Sequence, residues 1–178
     1  MSDIALDQTP AGPLLPIPVG RSLVVSLVAV GVFGLLGGLL WHLLTVTPAY
    51  TIGDDKGAII TESGLSQVFA SDIWYIIISL VLALPLGAVC WWLFRRLGWP
   101  GVLLTVAAGL IAAVICWQFG HLLGPNGFAE RVSAANPGDR VPMDLSLDAP
   151  LLVLVWPAAV GVPILVASIV DLARGHHR

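Results

Sequence analysis

The sequence predicts an all-α membrane protein: four transmembrane helices, both termini cytoplasmic, and two polar extracytoplasmic loops. Three observations lead there. Hydrophobic residues make up 57% of the 178 positions and charged residues 11%, with a mean hydropathy of +0.93. A soluble domain carries about 25% charged residues and needs them to cover its water-facing surface. The apolar residues fall into four long runs, each close to the roughly 20 residues that cross a hydrocarbon core about 30 Å thick. Between the second and third runs lies only Arg95-Arg96-Leu97-Gly98-Trp99-Pro100, a turn short enough to make those runs an antiparallel hairpin.

Residues 1–21 form a tail with prolines at 10, 13, 16 and 18 and with Asp3 and Asp7. This composition predicts an extended, disordered cytoplasmic arm. Pro10-Ala-Gly-Pro13 and Pro13-Leu-Leu-Pro16 fit the P-x-x-P spacing of polyproline ligands, but matches this short are common by chance and a plain tail is the simpler expectation. The first span covers residues 22–46 without a Lys, Arg, Asp or Glu. A helix of about 25 residues rises about 37 Å, enough for a tilted crossing, and exceeds the roughly 7–15 apolar residues of a cleaved signal peptide. Within it Gly34 and Gly38 have the G-x-x-x-G spacing that lets a second helix approach closely.

Residues 47–72 are expected to be a polar connection, with Pro48, Gly53-Asp54-Asp55-Lys56-Gly57, Glu62 and Asp72. A turn at the charged stretch followed by a short strand over 58–61 fits the local residue types. Asp54 and Asp55 lack the further acidic positions and closing Glu of a calcium loop. The second span, 73–94, opens with Trp74 and Tyr75 and closes with Trp91 and Trp92, as aromatic belts at two interfaces require. Pro85 in its middle removes a backbone donor and predicts a kink. The third span, 101–123, is uncharged and carries Trp117, Gln118 and His121 at its far end. Residues 124–149 mix both charge signs with three prolines, which predicts a loop with at most a short helix near 128–135. The fourth span, 151–170, contains Pro157 and Pro163 and is expected to be the least regular. Residues 172–178 form a second cytoplasmic tail with Arg174, His176, His177 and Arg178.

Orientation follows from the cations near the helix ends. With the hairpin turn inside, Arg21, Arg95, Arg96, Arg174 and Arg178 lie on the cytoplasmic side, against Lys56, Arg131 and Arg140 outside, the bias that plasma-membrane proteins show. A multi-pass protein of the inner (plasma) membrane is the expectation.

A Gly-rich first helix ends in Leu40-Trp41-His42-Leu43-Leu44. An acidic loop leads through Glu62 to Phe69-Ala-Ser-Asp72-Ile-Trp74-Tyr, and the last span begins at Asp148-Ala-Pro150-Leu-Leu-Val-Leu-Val-Trp156-Pro157. This pattern resembles a family of uncharacterised actinobacterial four-helix integral membrane proteins. The resemblance covers residues 22–170 and implies the four-span topology; it brings no activity or catalytic residue.

His42, Asp72, His121 and Asp148 all fall at helix ends, and in this orientation all four reach the outer interface. Two imidazoles and two carboxylates at one level suit a divalent metal or a pH-sensitive contact. The simpler expectation is that each meets water at the headgroup level, because no H-x-x-H or H-E-x-x-H spacing ties any pair together. Cys90 and Cys116 differ in depth by about 15 Å at 1.5 Å per residue, too far for a disulfide; both are expected to be buried packing residues. The sequence has no nucleophile elbow, phosphate loop or C-x-x-C, and no carboxylate lies within a span. No cofactor-binding signature is present, and the scattered cations form no stripe for nucleic acid. The expectation is a non-enzymatic accessory or assembly subunit of a larger membrane or cell-envelope complex, with the lipid bilayer and other membrane subunits as partners. The alternative is a small transporter, or a pH- or metal-responsive sensor built on the outer His and Asp groups.

Overall fold

In the computed structural model, which describes residues 19–53, 58, 59, 62–147 and 149–175, four helices are long and apolar enough to cross a membrane. They are α1 (Val19–Leu44), α2 (Glu62–Phe94), α3 (Trp99–Leu123) and, after the short helix α4 (Phe128–Ala134), α5 (Val155–Gly175). The fold is all-α, and its four long helices alternate in direction. The expectations for the Pro-rich arm, Asp54, Asp55, Lys56, Asp148, His176 and His177 lie outside the described residues.

Helix ends depart from the hydropathy pattern for local reasons. α1 stops at Leu44, two residues before the apolar run ends; Thr45 N–H still bonds the Trp41 carbonyl at 3.1 Å. Thr47 precedes Pro48, which disfavours helical geometry at the preceding residue. The connection expected over 47–72 is shorter than its polar composition implies, because α2 begins at Glu62. Leu65, Val68 and Phe69 supply a helical apolar period in that polar stretch. At 33 residues, α2 rises about 50 Å, roughly 20 Å more than the hydrocarbon core, so one end must project beyond it. The last span is irregular at its start: a 3-10 turn over Pro150–Leu154 feeds α5. Pro157 explains this, since its ring would meet the Val153 carbonyl in a continuous α-helix.

The α2–α3 turn is tight. Arg95–Leu97 forms one 3-10 turn, Gly98 adopts φ +63° and ψ −130°, and Pro100 sits in the first turn of α3. Only glycine reaches that backbone region without strain. Gly101 then packs directly on the Phe94 carbonyl, leaving no room for a side chain there.

In cross-section the four long helices form a rhombus. α2 and α3 share the short diagonal, α1 packs most extensively on α3, and α5 packs most extensively on α2. The buried side chains of α1 recur at helical spacing through Ser22, Ser26, Val30, Gly34, Gly38 and Trp41, whereas Leu23, Val24, Leu27, Val28 and Leu35 are exposed. On α3 the buried set is small throughout: Gly101, Thr105, Ala108, Gly109, Ala112, Ala113, Cys116 and Gly120. On α1 and α3 most large aliphatic groups therefore face outward and small ones inward, the arrangement that membrane helices use because lipid already solvates leucine.

Close backbone approach follows. A Cβ on Gly38 would stand 2.7 Å from the Cys116 carbonyl oxygen, and one on Gly34 would stand 2.8 Å from Ile115 Cγ2. On the other side of the bundle, a Cβ on Gly87 would meet Val160 Cα at 2.7 Å, and one on Gly109 would meet Val160 Cγ2 at 2.8 Å. Two buried hydroxyls bond the carbonyl four residues back, Ser79 to Tyr75 at 2.6 Å and Thr105 to Gly101 at 2.9 Å, which satisfies them without a second helix. Cys90 and Cys116 are free and buried, and Ser26 Oγ lies 3.5 Å from Cys90 Sγ.

Gly38→Ala and Gly87→Ala should each cost about 1–3 kcal/mol, because the new methyl meets backbone that cannot step aside. Gly31 has open space at its Cβ position, so Gly31→Ala should be neutral or raise stability by up to about 1 kcal/mol through helix propensity. Thermal unfolding of the three variants in one detergent, followed by size-exclusion recovery, reads the contrast; equal behaviour of all three would contradict the packing.

Candidate functional site

The polar residues between α1 and α2 and between α3 and α5 fold over one end of the bundle as a cap. β1 (Ala49–Ile52) pairs antiparallel with β2 (Ala58–Ile59) on one side and with β3 (Arg140–Pro142) on the other. The register places Tyr50 opposite Val141 and Thr51 opposite Arg140, so the sheet joins the two long connections. Ile52, Val141, Leu145 and Leu147 are buried and give the cap its own apolar floor. β2 falls within the stretch read as a strand from sequence, and α4 within the stretch read as a short helix.

α4 is fixed to this sheet by Asp144. Its carboxylate accepts from Arg131 Nη2 at 2.7 Å and from the Phe128 backbone N–H at 3.4 Å, so one side chain pairs with a cation and covers the positive end of the helix. Gly127 turns the chain into α4 at φ +76°, and the Phe128 ring packs against Tyr50 at 5.2 Å between centroids. Sequence reasoning missed the Arg131–Asp144 pair, because no local period relates residues thirteen apart in a loop. It also missed β1, although Tyr50, Thr51 and Ile52 are strand-favouring residues.

One contact braces α1 against α2 under the cap, and two more tie the cap to the bundle. Trp41 Nε1–H donates to the Ser71 carbonyl at 2.9 Å, Ser71 Oγ reaches the Ser146 carbonyl at 3.4 Å, and His121 Nδ1 lies 2.7 Å from the Leu145 carbonyl. A carbonyl has no proton to give, so His121 carries its proton on Nδ1 and its second nitrogen is the one left for other chemistry. Beneath these contacts Trp41 and Tyr75 stack edge to face at 5.5 Å, and the Tyr75 hydroxyl donates to the Ala113 carbonyl at 3.2 Å. Trp156, fully buried, places its indole N–H beside this pair without a hydrogen-bond partner.

Of the four outer-interface groups named from sequence, His42 is half-buried in the last turn of α1 and Asp72 is half-buried in α2 with an interaction partner of its own. His121 is committed to Leu145, and Asp148 lies outside the described residues. Among the described residues no three His, Cys, Asp or Glu side chains converge as a metal site would require. The cavity under the cap, lined by Thr45, Ser71, Asp144 and Ser146, measures about 10 Å³, about the size of one water and too small for a substrate. Across it Ser71 Oγ donates to the Ser146 carbonyl. Gly34 and Gly38 sit at the α1–α3 contact, remote from any chemistry.

No family model, curated protein or solved structure matches the chain.

Asp144→Ala should loosen the cap while the bundle stays intact. The loss, about 1–2 kcal/mol from the cap interaction and ion pair, should appear as faster amide exchange in α4 and β3 with little change in the bundle's melting midpoint. Zinc titration should leave that midpoint where it is. A zinc-dependent rise that vanishes in His42→Ala with His121→Ala would instead establish a metal site.

Proposed function

We propose that the protein is a non-enzymatic, multi-pass subunit of the inner (plasma) membrane, with both termini cytoplasmic, that helps assemble or stabilise a larger membrane or cell-envelope complex. One observation carries this reading: the two polar connections, remote in sequence, are built into one ordered cap. Simple water-exposed linkers have no need of a shared sheet, a capped helix and two side-chain ties to the bundle. An ordered surface standing clear of the lipid suits a protein partner. Its polar groups bond mainly to one another, which suits a contact surface better than a reaction centre.

The cation distribution supports the orientation, with Arg21, Arg95, Arg96 and Arg174 at the end opposite the cap and Arg131 and Arg140 in the cap. A transporter would be expected to hold an ionisable group at mid-membrane. The four spans have no Asp, Glu, Lys or Arg between their end regions. Membership in the actinobacterial four-helix family that the span pattern resembles belongs to the same proposal.

Purification in mild detergent after in-cell crosslinking is expected to retain a stoichiometric partner, with crosslinks concentrated on α4 and β3. Asp144→Ala should weaken that retention while the bundle still elutes as a folded species. A monodisperse lone chain with no crosslinks at the cap would overturn the assembly role. For orientation, a cysteine at Leu97 should resist an impermeant thiol reagent applied to intact cells and react once the membrane is opened. Labelling from outside would reverse the topology.

A further inference from the structure

The end of the bundle opposite the cap holds a second kind of site. The end of α2, the turn after it and the last two turns of α5 enclose a groove of about 530 Å³, lined on its polar side by Arg95, Arg96, Arg174 and Asp171 and on its apolar side by Trp91 and Val170. Among the described residues none of these four charged groups takes part in an ion pair, whereas Arg131 and Asp144 in the cap do. Three guanidiniums thus share one concave space with a single carboxylate.

Charge arithmetic defines what such a groove accepts. Three cations and one anion leave a balance of +2; the carboxyl ends of α2 and α5 each subtract about 0.5, and the amino end of α3, which starts at Trp99 beside the same turn, adds about 0.5. The groove stays net positive and suits an anion. Guanidinium forks recognise the paired oxygens of a phosphate with two parallel hydrogen bonds. The groove therefore suits a phosphate group, and a phosphodiester brings no more negative charge than the groove can balance.

The apolar side indicates what the phosphodiester is attached to. The wall formed by Val170 continues along α5 into the exposed side chains of Leu165, Val166 and Ile169, a surface that faces lipid. Trp91 stands where an indole ring is favoured, between headgroup and acyl region. A second groove of about 300 Å³ at the same end repeats the pairing of a cation with a tryptophan through Arg21 and Trp92. We propose that the groove between the α2–α3 turn and the end of α5 binds the phosphodiester headgroup of an anionic phospholipid, with Arg95, Arg96 and Arg174 on the phosphate and the acyl chains along α5.

The test uses the full chain in nanodiscs of phosphatidylcholine, with and without phosphatidylglycerol, followed by native mass spectrometry and thermal unfolding. The wild type should retain phosphatidylglycerol over phosphatidylcholine by about tenfold and melt higher when it is present, the scale expected for a few interfacial cations. Arg95→Gln with Arg96→Gln and Arg174→Gln should lose both the preference and the shift, while Arg140→Gln in the cap keeps them. Should the triple variant fail to fold, each single Gln variant is expected to lose part of the preference, and Arg174→Lys, which keeps charge but not the fork, to fall between. Glycerol phosphate added to phosphatidylcholine discs should have no effect; stabilisation by it alone would assign the groove to a soluble phosphate and overturn the lipid. Retention of phosphatidylglycerol by the Gln variants at the wild-type level would overturn the site.

Discussion

Val160 is the residue on which the bundle closes. It is fully buried and lies against two glycines at once, Gly87 of α2 and Gly109 of α3, at distances that leave no room for a methyl on either. In water a large buried aliphatic core would drive such association; in lipid that gain is absent, and helices associate by dispersion between surfaces that come close enough to touch. Glycines on the short diagonal let α5 seat on both central helices. Gly34 and Gly38 do the same for α1 on α3. The rhombic section, the exposure of the large aliphatic residues and the small-residue interior of α3 all follow from that constraint.

The same constraint shapes the cap end. Toward the cap the interior is filled by Trp41, Tyr75 and Trp156, each fully buried, with Trp156 against Gly37. Trp41 packs over Gly120 and donates to α2, so one side chain spans from the glycine-lined interface to the base of the cap. Rings with polar edges suit this level, because their bodies pack with the bundle while the Trp41 N–H and the Tyr75 O–H reach carbonyls. Ser71, which accepts from Trp41 through its carbonyl and donates to Ser146 through its hydroxyl, continues the connection. Order in the loops is thus inherited from the bundle.

Much of this was legible in the sequence, and for a physical reason. Four apolar runs with almost no charge admit few other folds, and the spacing of Gly34 and Gly38 marked a face on which a helix lies. What escaped was information carried by direction around a helix axis and by distant pairing. Depth alone put His42 and His121 at one level, but depth does not say which way a side chain points, and His121 turns to the Leu145 carbonyl. β1 and β3 pair residues about ninety positions apart, and no local pattern names a partner so far away. The first turns of α2 escaped because polar composition outweighed a short apolar period.

The two ends of the molecule differ in what their charges already have. In the cap, Asp144 is held by Arg131 and by the start of α4, and His121 by a backbone carbonyl. At the opposite end, Arg95, Arg96 and Arg174 share a groove in which one carboxylate faces three guanidiniums. Hydrated cations at a membrane surface gain most when an anion of fixed position meets them, and the headgroup layer supplies such anions at high local concentration. Read from sequence, the Arg95-Arg96 turn is an orientation signal and the outer His and Asp groups are the candidates for chemistry. The fold adds a second candidate at that turn: orientation needs only the number of cations, whereas three of them line one groove.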